Sequence, residues 1–190
     1  MTSPATPLDQ AVSAIRAGGV IAYPTEAVWG LGCDPLNQDA VEKLLAIKQR
    51  PMDKGLILVA ANIEQLSPFL GDMTVDQYQL LQARWPGFTT FIVPASQQVP
   101  EWIKGSFESV ALRVSAHPLV CGLCEAFAGP LVSTSANLAG QAPALSFEQV
   151  QTLFSPILDF VLPGDLGNAS KPSSIIDISS GQVLRYKCDL

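Results

Sequence analysis

Lys48, Arg50 and Lys54 put three cations within seven residues, in a chain of 190 that has 11 Lys plus Arg against 17 Asp plus Glu. An acidic protein that gathers scarce positive charge around one bend, Arg50-Pro51, has the means to hold an anion there. The same charges would also suit a solvated helix end, where Lys and Arg meet the negative pole of the dipole. A fourth cation stands inside Val110-Ala-Leu-Arg-Val114, where the valines and Leu112 share one strand face and Arg113 projects from the other. An arginine so placed calls for a carboxylate or phosphate partner, either a ligand or an internal acid. Leu131-Val-Ser-Thr-Ser-Ala-Asn137 ends an apolar run in small hydroxyl and amide groups. Such a run can line a polar ligand or build a turn.

Several chemistries are set aside by what is missing. There is no GxxxxGK[ST] phosphate loop, and Gly30-Leu-Gly32 lacks the third glycine of a dinucleotide fingerprint. His117 is the only histidine and adjoins a proline, which counts against a Ser-His-Asp hydrolase and against zinc. Glu26 is the only acid in a suggestive position, so no carboxylate dyad is expected. Cys121-Gly-Leu-Cys124 lies inside the apolar run Leu119 to Phe127 and reads as a buried structural pair; Cys33 and Cys188 stand alone. Cysteine usage and the N-terminus MTSPATPLDQ, which is unlike a signal peptide, predict a cytoplasmic protein. No apolar run reaches the ~18 residues of a membrane span. A net charge of −6 and a pI of about 4.6 argue against tight nonspecific nucleic-acid binding. What remains is cations, hydroxyls and backbone amides, which position phosphates and stabilise charge without a covalent nucleophile.

The elements that must position these groups alternate. Leu8, Val12 and Ile15 recur at helical spacing until Gly18-Gly19 stops the helix. Val20 to Tyr23 is a continuous apolar run, the pattern of a strand covered on both faces, and it ends in Pro24-Thr25-Glu26. A helix from an Asn37 cap to Gln49 buries Val41, Leu44, Leu45 and Ile47, and Arg50-Pro51 ends it. Leu56 to Ala60 is the next strand, and Asn62 caps a short helix. Thr74 with Gln77 is a capping box that opens a helix to about Trp85; Thr89 to Val93 is a strand beyond Pro86-Gly87. Pro118 starts another helix, Ser146 caps one to Phe154, and Leu158 to Leu162 is a strand. Pro163 to Pro172 is a Gly/Ser/Asn loop of the kind that covers sites, before a closing hairpin of Ser174 to Ile178 and Gln182 to Tyr186. With no repeat and no linker, a single α/β domain is expected over residues 1–190, its twisted open mixed sheet flanked by helices.

YPTEAVWGLGC, KQRPMDKGLIL, RWPGFTTF, SVALRVSAHPLV and LVSTSANLAG, in this order, resemble the YrdC-type threonylcarbamoyl-AMP synthases, and within them the short single-domain bacterial form. The resemblance covers about residues 8–186 and implies a YrdC-like fold. It implies an enzyme that joins L-threonine, bicarbonate and ATP into threonylcarbamoyl-AMP with release of pyrophosphate. A separate transferase complex would then modify adenosine 37 of tRNAs that read ANN codons, with weak tRNA contact by this chain allowed. By the same resemblance, Lys48 and Arg50 are catalytic and, with Lys54, face the ATP phosphates, while Ser109, Ser135, Asn137 and Arg185 join the nucleotide site. Arg113, Thr25, Ser133 and Ser173 would hold threonine, with Tyr23 and Thr90 elsewhere in the pocket. Mg2+ is expected on the phosphates, held largely by substrate and water because no Asp cluster is present. Ala27 and Val59 replace a Thr and a His of the longer two-domain relatives, so those threonine contacts must be made otherwise. The alternative on the same fold is an RNA-binding or ribosome-maturation module without adenylation.

Overall fold

The computed structural model describes residues 4–185, with the side chain of Arg185 outside that description. Local signals set most boundaries. Helix α1 (Pro7–Arg16) opens on a reciprocal Thr6–Asp9 capping box and stops before Gly18, whose φ is +81°. Strand β1 (Ile21–Pro24) is buried throughout, as a run apolar on both faces requires. No strand is expected at Gly30-Leu-Gly32, yet the chain turns at Thr25 and returns antiparallel as β2 (Trp29–Gly32). The glycines there are a packing requirement: a Cβ on Gly32 would sit 2.4 Å from the Val132 oxygen and 2.8 Å from the Tyr23 ring.

Helix α2 (Gln38–Lys48) is capped by the Asn37 side chain and closes through Gln49 in the left-handed region at φ 52°. A single 3-10 turn, Met52–Lys54, leads into β3 (Ile57–Ala60). Then come α3 (Ile63–Leu66), capped by Asn62, and α4 (Val75–Arg84), opened by the Thr74–Gln77 box. Strand β4 (Thr89–Pro94), the unforeseen short helix α5 (Glu101–Lys104) and β5 (Ser109–Val114) follow. Helix α6 (Pro118–Phe127) has proline in its first turn, β6 is Leu131–Ser135, and Ser146 caps α7 (Phe147–Phe154). The last strands are β7 (Phe160–Val161), β8 (Ser174–Asp177) and β9 (Val183–Arg185); β8 and β9 form the expected antiparallel hairpin. Tyr186, expected at its end, lies outside the described residues.

Among the described residues the nine strands form one open mixed sheet in the order β7-β1-β2-β6-β3-β5-β4-β8-β9. Strand alternation divides the core. Ile21, Tyr23, Val59 and Leu131 face the pair α1 and α6, whereas Ala22, Leu58 and Val132 face α2 and a larger cluster. Register places Arg113 beside Val59, and Ala111 beside Ile57, which in turn pairs with Ser133. The α1/α6 face of the sheet therefore continues into Arg113, Ala111 and Ser133, beyond the cluster that those two helices form. Cys124 is buried against β3 and its thiol donates to the Val59 carbonyl at 3.5 Å. Burial, with Cys121 beside it, pushes that thiol up to about 12. Burial also raises the half-buried Cys121, so neither is poised as a thiolate and the structural reading of this pair holds.

Candidate active site

This part of the sheet face borders a cavity of about 680 Å³. This is within the roughly 300–1,000 Å³ of small-molecule sites. Its lining includes both groups that the sequence singled out. From the α2–β3 connection come Arg50 and Lys54, and from the sheet come Ser109, Arg113, Ser133 and Ser135. Thr25, Thr90, Asn137 and Ser173 complete the expected set within it. Among the described residues that line the cavity, none is Asp or Glu. It is a positive, hydroxyl-rich pocket.

Of the remaining three expected residues, two stand elsewhere. Tyr23 is fully buried under the sheet with the α1/α6 cluster, and its hydroxyl donates to the Val132 carbonyl at 3.2 Å, so it is not a pocket residue. The alternation that takes it there is visible only once β1 is paired. Arg185 lies opposite Ile175, which lines the cavity, but its side chain is outside the described residues. Lys48 is buried and does not line the cavity. Its ammonium donates to the Ser135 carbonyl, to the Asn137 carbonyl at 2.9 Å and to Asn137 Oδ1 at 3.1 Å. Ser135 Oγ also donates to that Oδ1, at 2.6 Å, and the Asn137 amide donates to the Leu138 and Gln141 carbonyls. Lys48 thus fixes the hydroxyl-and-amide end of β6 from behind. Burial, then the nearby Arg50 charge, lowers its pKa to about 8.

Arg50 bridges the turn, donating to the Gly55 carbonyl at 2.9 Å and the Lys54 carbonyl at 3.3 Å. Its Nε is buried with no acceptor among the described residues. An orphaned charged donor beside Lys54, with no carboxylate partner for either among the described residues, leaves this end of the cavity suited to an anion. Arg113 differs. Its Nη2 lies 3.0 Å from Glu26 Oε2, the two side chains being only 8% and 12% exposed, and its guanidinium stacks 5.6 Å from the Phe88 ring centre. Burial alone would raise the Glu26 carboxyl, but Arg113, the Ser115 hydroxyl and backbone amides outweigh it and hold the group below its ordinary value. Thr90 and Ser173 share a hydroxyl hydrogen bond of 2.9 Å, which joins β4 to the late loop.

This arrangement can hold a multiply charged anion at one end and orient a single carboxylate at the other. The family model Sua5–YciO–YrdC, described as telomere recombination, matches residues 13–186. The chain belongs to this family. It is 52% identical over 178 residues, 94% of both chains, to the threonylcarbamoyl-AMP synthase of Cellvibrio japonicus. With that of Marinobacter nauticus it shares 56% over 173 residues, 90% of both chains. The solved structure of P. abyssi Sua5 complexed with L-threonine superposes with a TM-score of 0.87 at 30% identity, over 95% of this chain. The match takes in 54% of that longer protein, so this chain spans about half its length.

For this Sua5–YciO–YrdC member, several cavity residues escaped the sequence. Lys104 lies on α5, a four-residue helix, and Phe107 follows it, 52% exposed, at the mouth. Pro100-Glu101 before Gly105 was the available signal for that helix. Glu26 was noticed only as a lone acid. Its partner is 87 residues away, a separation that spacing does not report.

Proposed function

We propose that this chain synthesises L-threonylcarbamoyl-AMP from L-threonine, bicarbonate and ATP, releasing pyrophosphate. The observation that carries the reading is a cavity whose described lining has no carboxylate, with open cations at one end and an oriented buried arginine at the other. It occurs in a chain about half identical, over nearly its full length, to synthases of that name. Threonine and bicarbonate condense to a carbamate with loss of water. A carbamate oxygen then attacks the α-phosphorus while the bond to pyrophosphate breaks. Such a displacement depends on alignment and charge rather than on a side-chain nucleophile.

In this reading Arg50, Lys54 and Lys104 receive the triphosphate, with Ser109, Ser135, Asn137 and Arg185 around the nucleotide. Lys48 contributes by holding Ser135 and Asn137 in place. Arg113 receives the threonine carboxylate, with Thr25, Ser133 and Ser173 beside it and Thr90 supporting Ser173. Among the described residues the lining carries no carboxylate and no metal-holding cluster occurs, so Mg2+ would arrive on the phosphates with water as its remaining ligands. Bound there, it would neutralise phosphate charge. No helix among the described residues is long and apolar enough to cross a membrane, and we place the reaction in the cytoplasm, ahead of a tRNA threonylcarbamoyl-transferase complex. Any direct tRNA contact is expected to be weak at a net charge of −6.

The test is pyrophosphate release with ATP and Mg2+, omitting L-threonine and bicarbonate in turn. Release that needs both is expected. Release indifferent to threonine would overturn the choice of acceptor, and no release by folded protein would overturn the enzyme.

A further inference from the structure

We propose that Glu26 is the positioning residue of the carboxylate subsite, fixing the Arg113 guanidinium and tying segment 163–172 to the same turn. The inference rests on the reading that Arg113 receives threonine. Glu26 does not itself line the cavity; it stands behind Arg113 in the turn between β1 and β2. Its Oε2 accepts from Arg113, and its Oε1 accepts from Ser115 Oγ at 2.6 Å and from the Ala116 amide at 3.3 Å. Both oxygens are thus anchored to the junction of β5 and α6. The link to Arg113 runs through one guanidinium nitrogen, and the Phe88 ring lies against the group. These two contacts define its plane and leave its other N–H groups to be directed at a ligand.

The Glu26 main chain makes the second connection. Its carbonyl accepts from the Ala169 amide at 2.9 Å, and the Thr25 carbonyl accepts from the Gly167 amide at 2.9 Å. A Cβ on Gly167 would lie 2.8 Å from Glu26 Cα, so only glycine allows this approach. His117 closes the ring: its amide donates to Ser115 Oγ at 3.1 Å, and its Nε2 lies 3.2 Å from the Asp165 carbonyl. The segment so tied continues into Pro172 and Ser173 of the cavity wall. A shift of Glu26 would therefore move the arginine and this part of the cavity wall together. A residue that merely held the fold would affect both substrates alike; a positioning residue for this subsite affects one.

The experiment compares wild type with Glu26→Ala, Glu26→Gln and Gly167→Ala. It measures L-threonine binding by calorimetry and, separately, KM for threonine and for ATP in pyrophosphate release. Loss of a charged hydrogen-bonding partner predicts threonine affinity weaker by about tenfold or more in Glu26→Ala, and by about threefold in Glu26→Gln, which keeps an acceptor. Gly167→Ala, which leaves the carboxylate but displaces its peptide, should also weaken threonine. KM for ATP should stay within about twofold in all three. Wild-type threonine affinity in the Gln variant, or equal losses for both substrates, would overturn the proposal; the Gln variant decides alone if the Ala variant does not fold. Wild-type turnover that ignores threonine would instead overturn the parent reading and this inference with it.

Discussion

The two charged ends of the cavity are built on opposite plans. At one end Arg50 and Lys54 have no carboxylate partner among the described residues, and Arg50 Nε is buried without an acceptor. At the other, Arg113 is matched by Glu26 before any ligand arrives. The nearby Lys104 bonds only loosely, at 3.4 Å, to a Glu108 that is 95% exposed, a contact worth little in stability. An open cluster stores repulsion that a polyanion relieves, and it discriminates chiefly by charge. A compensated arginine gives up much of that attraction and offers geometry instead, because its plane is already set. A triphosphate needs the first kind of end, and a single carboxylate that must present an amine in one direction needs the second.

The contrast predicts first that Arg113→Ala harms the fold more than any change at the open end. It strands a buried carboxylate, at a cost of about 3–5 kcal/mol, readable by urea denaturation at neutral pH. Glu26 has a depressed pKa in the folded state, so its pairing stabilises above the unfolded value of 4.5 and is lost as pH falls through the folded one. The gap between wild type and variant should therefore narrow in acid. A gap that stays constant across the carboxylate range would break the ion-pair explanation.

Arg50→Ala should do the reverse, costing less stability than Arg113→Ala because it removes bonds to two turn carbonyls and strands no carboxylate. Turnover should fall by about 10²–10³-fold, about 2.7–4 kcal/mol of transition-state stabilisation. Steady-state pyrophosphate release beside a melting curve checks both halves. An unchanged rate would remove the open end from the chemistry.

Lys48 sharpens the comparison because it belongs to the open end yet is buried. Its pKa of about 8 lies below the ordinary 10.5, so the unfolded chain binds the proton more tightly. The cost of burying the ammonium is present below pH 8 and disappears as pH rises toward 10.5, so stability should increase through that window. Turnover should move the other way, since the neutral amine has lost its charge and one of three donors and holds the Ser135 and Asn137 oxygens less firmly. Opposite slopes over one pH window are the expected signature. Lys48→Met should abolish the alkaline fall and lower the plateau by about tenfold or more, as loss of charged hydrogen bonds costs ~1.5–3 kcal/mol. Parallel slopes would show that the loosened β6 end does not matter for turnover.

Much of this was legible in the sequence, for reasons that are local. Asn37, Asn62, Thr74 with Gln77, and Ser146 each cap the helix they announced, because a cap is satisfied within three residues. That Arg113 leaves β5 on the face opposite the valines and Leu112 followed from strand alternation, but that it meets both an internal acid and the cavity did not. What failed needed tertiary neighbours. Strand β2 was hidden because Gly30 and Gly32 resemble a flexible stretch, and their need for small size comes from Tyr23, Thr25 and the β6 backbone. Lys48 and Arg50, two residues apart at a helix end, looked alike; only the position of β6 turns one inward to carbonyls and the other to the cavity. The resemblance supplied a site list, and the register decided which members stand in the site and which stand behind it.

The smallest effect is expected at Cys121, and it bears on the same contrast. Its thiol donates at 3.3 Å to the Ser115 carbonyl, on the residue whose hydroxyl steadies Glu26. A thiol is a weak donor on a half-buried position, and burial keeps it protonated, so Cys121→Ala removes little that the Glu26 carboxylate depends on. Stability should fall by about 1 kcal/mol or less, with KM for threonine within about twofold of wild type. A large rise in that KM would mean that the compensated end is set by the packing of α6 against Ser115 as much as by the ion pair. Its rigidity would then belong to the α6 junction, and Glu26 would transmit it to Arg113 rather than create it.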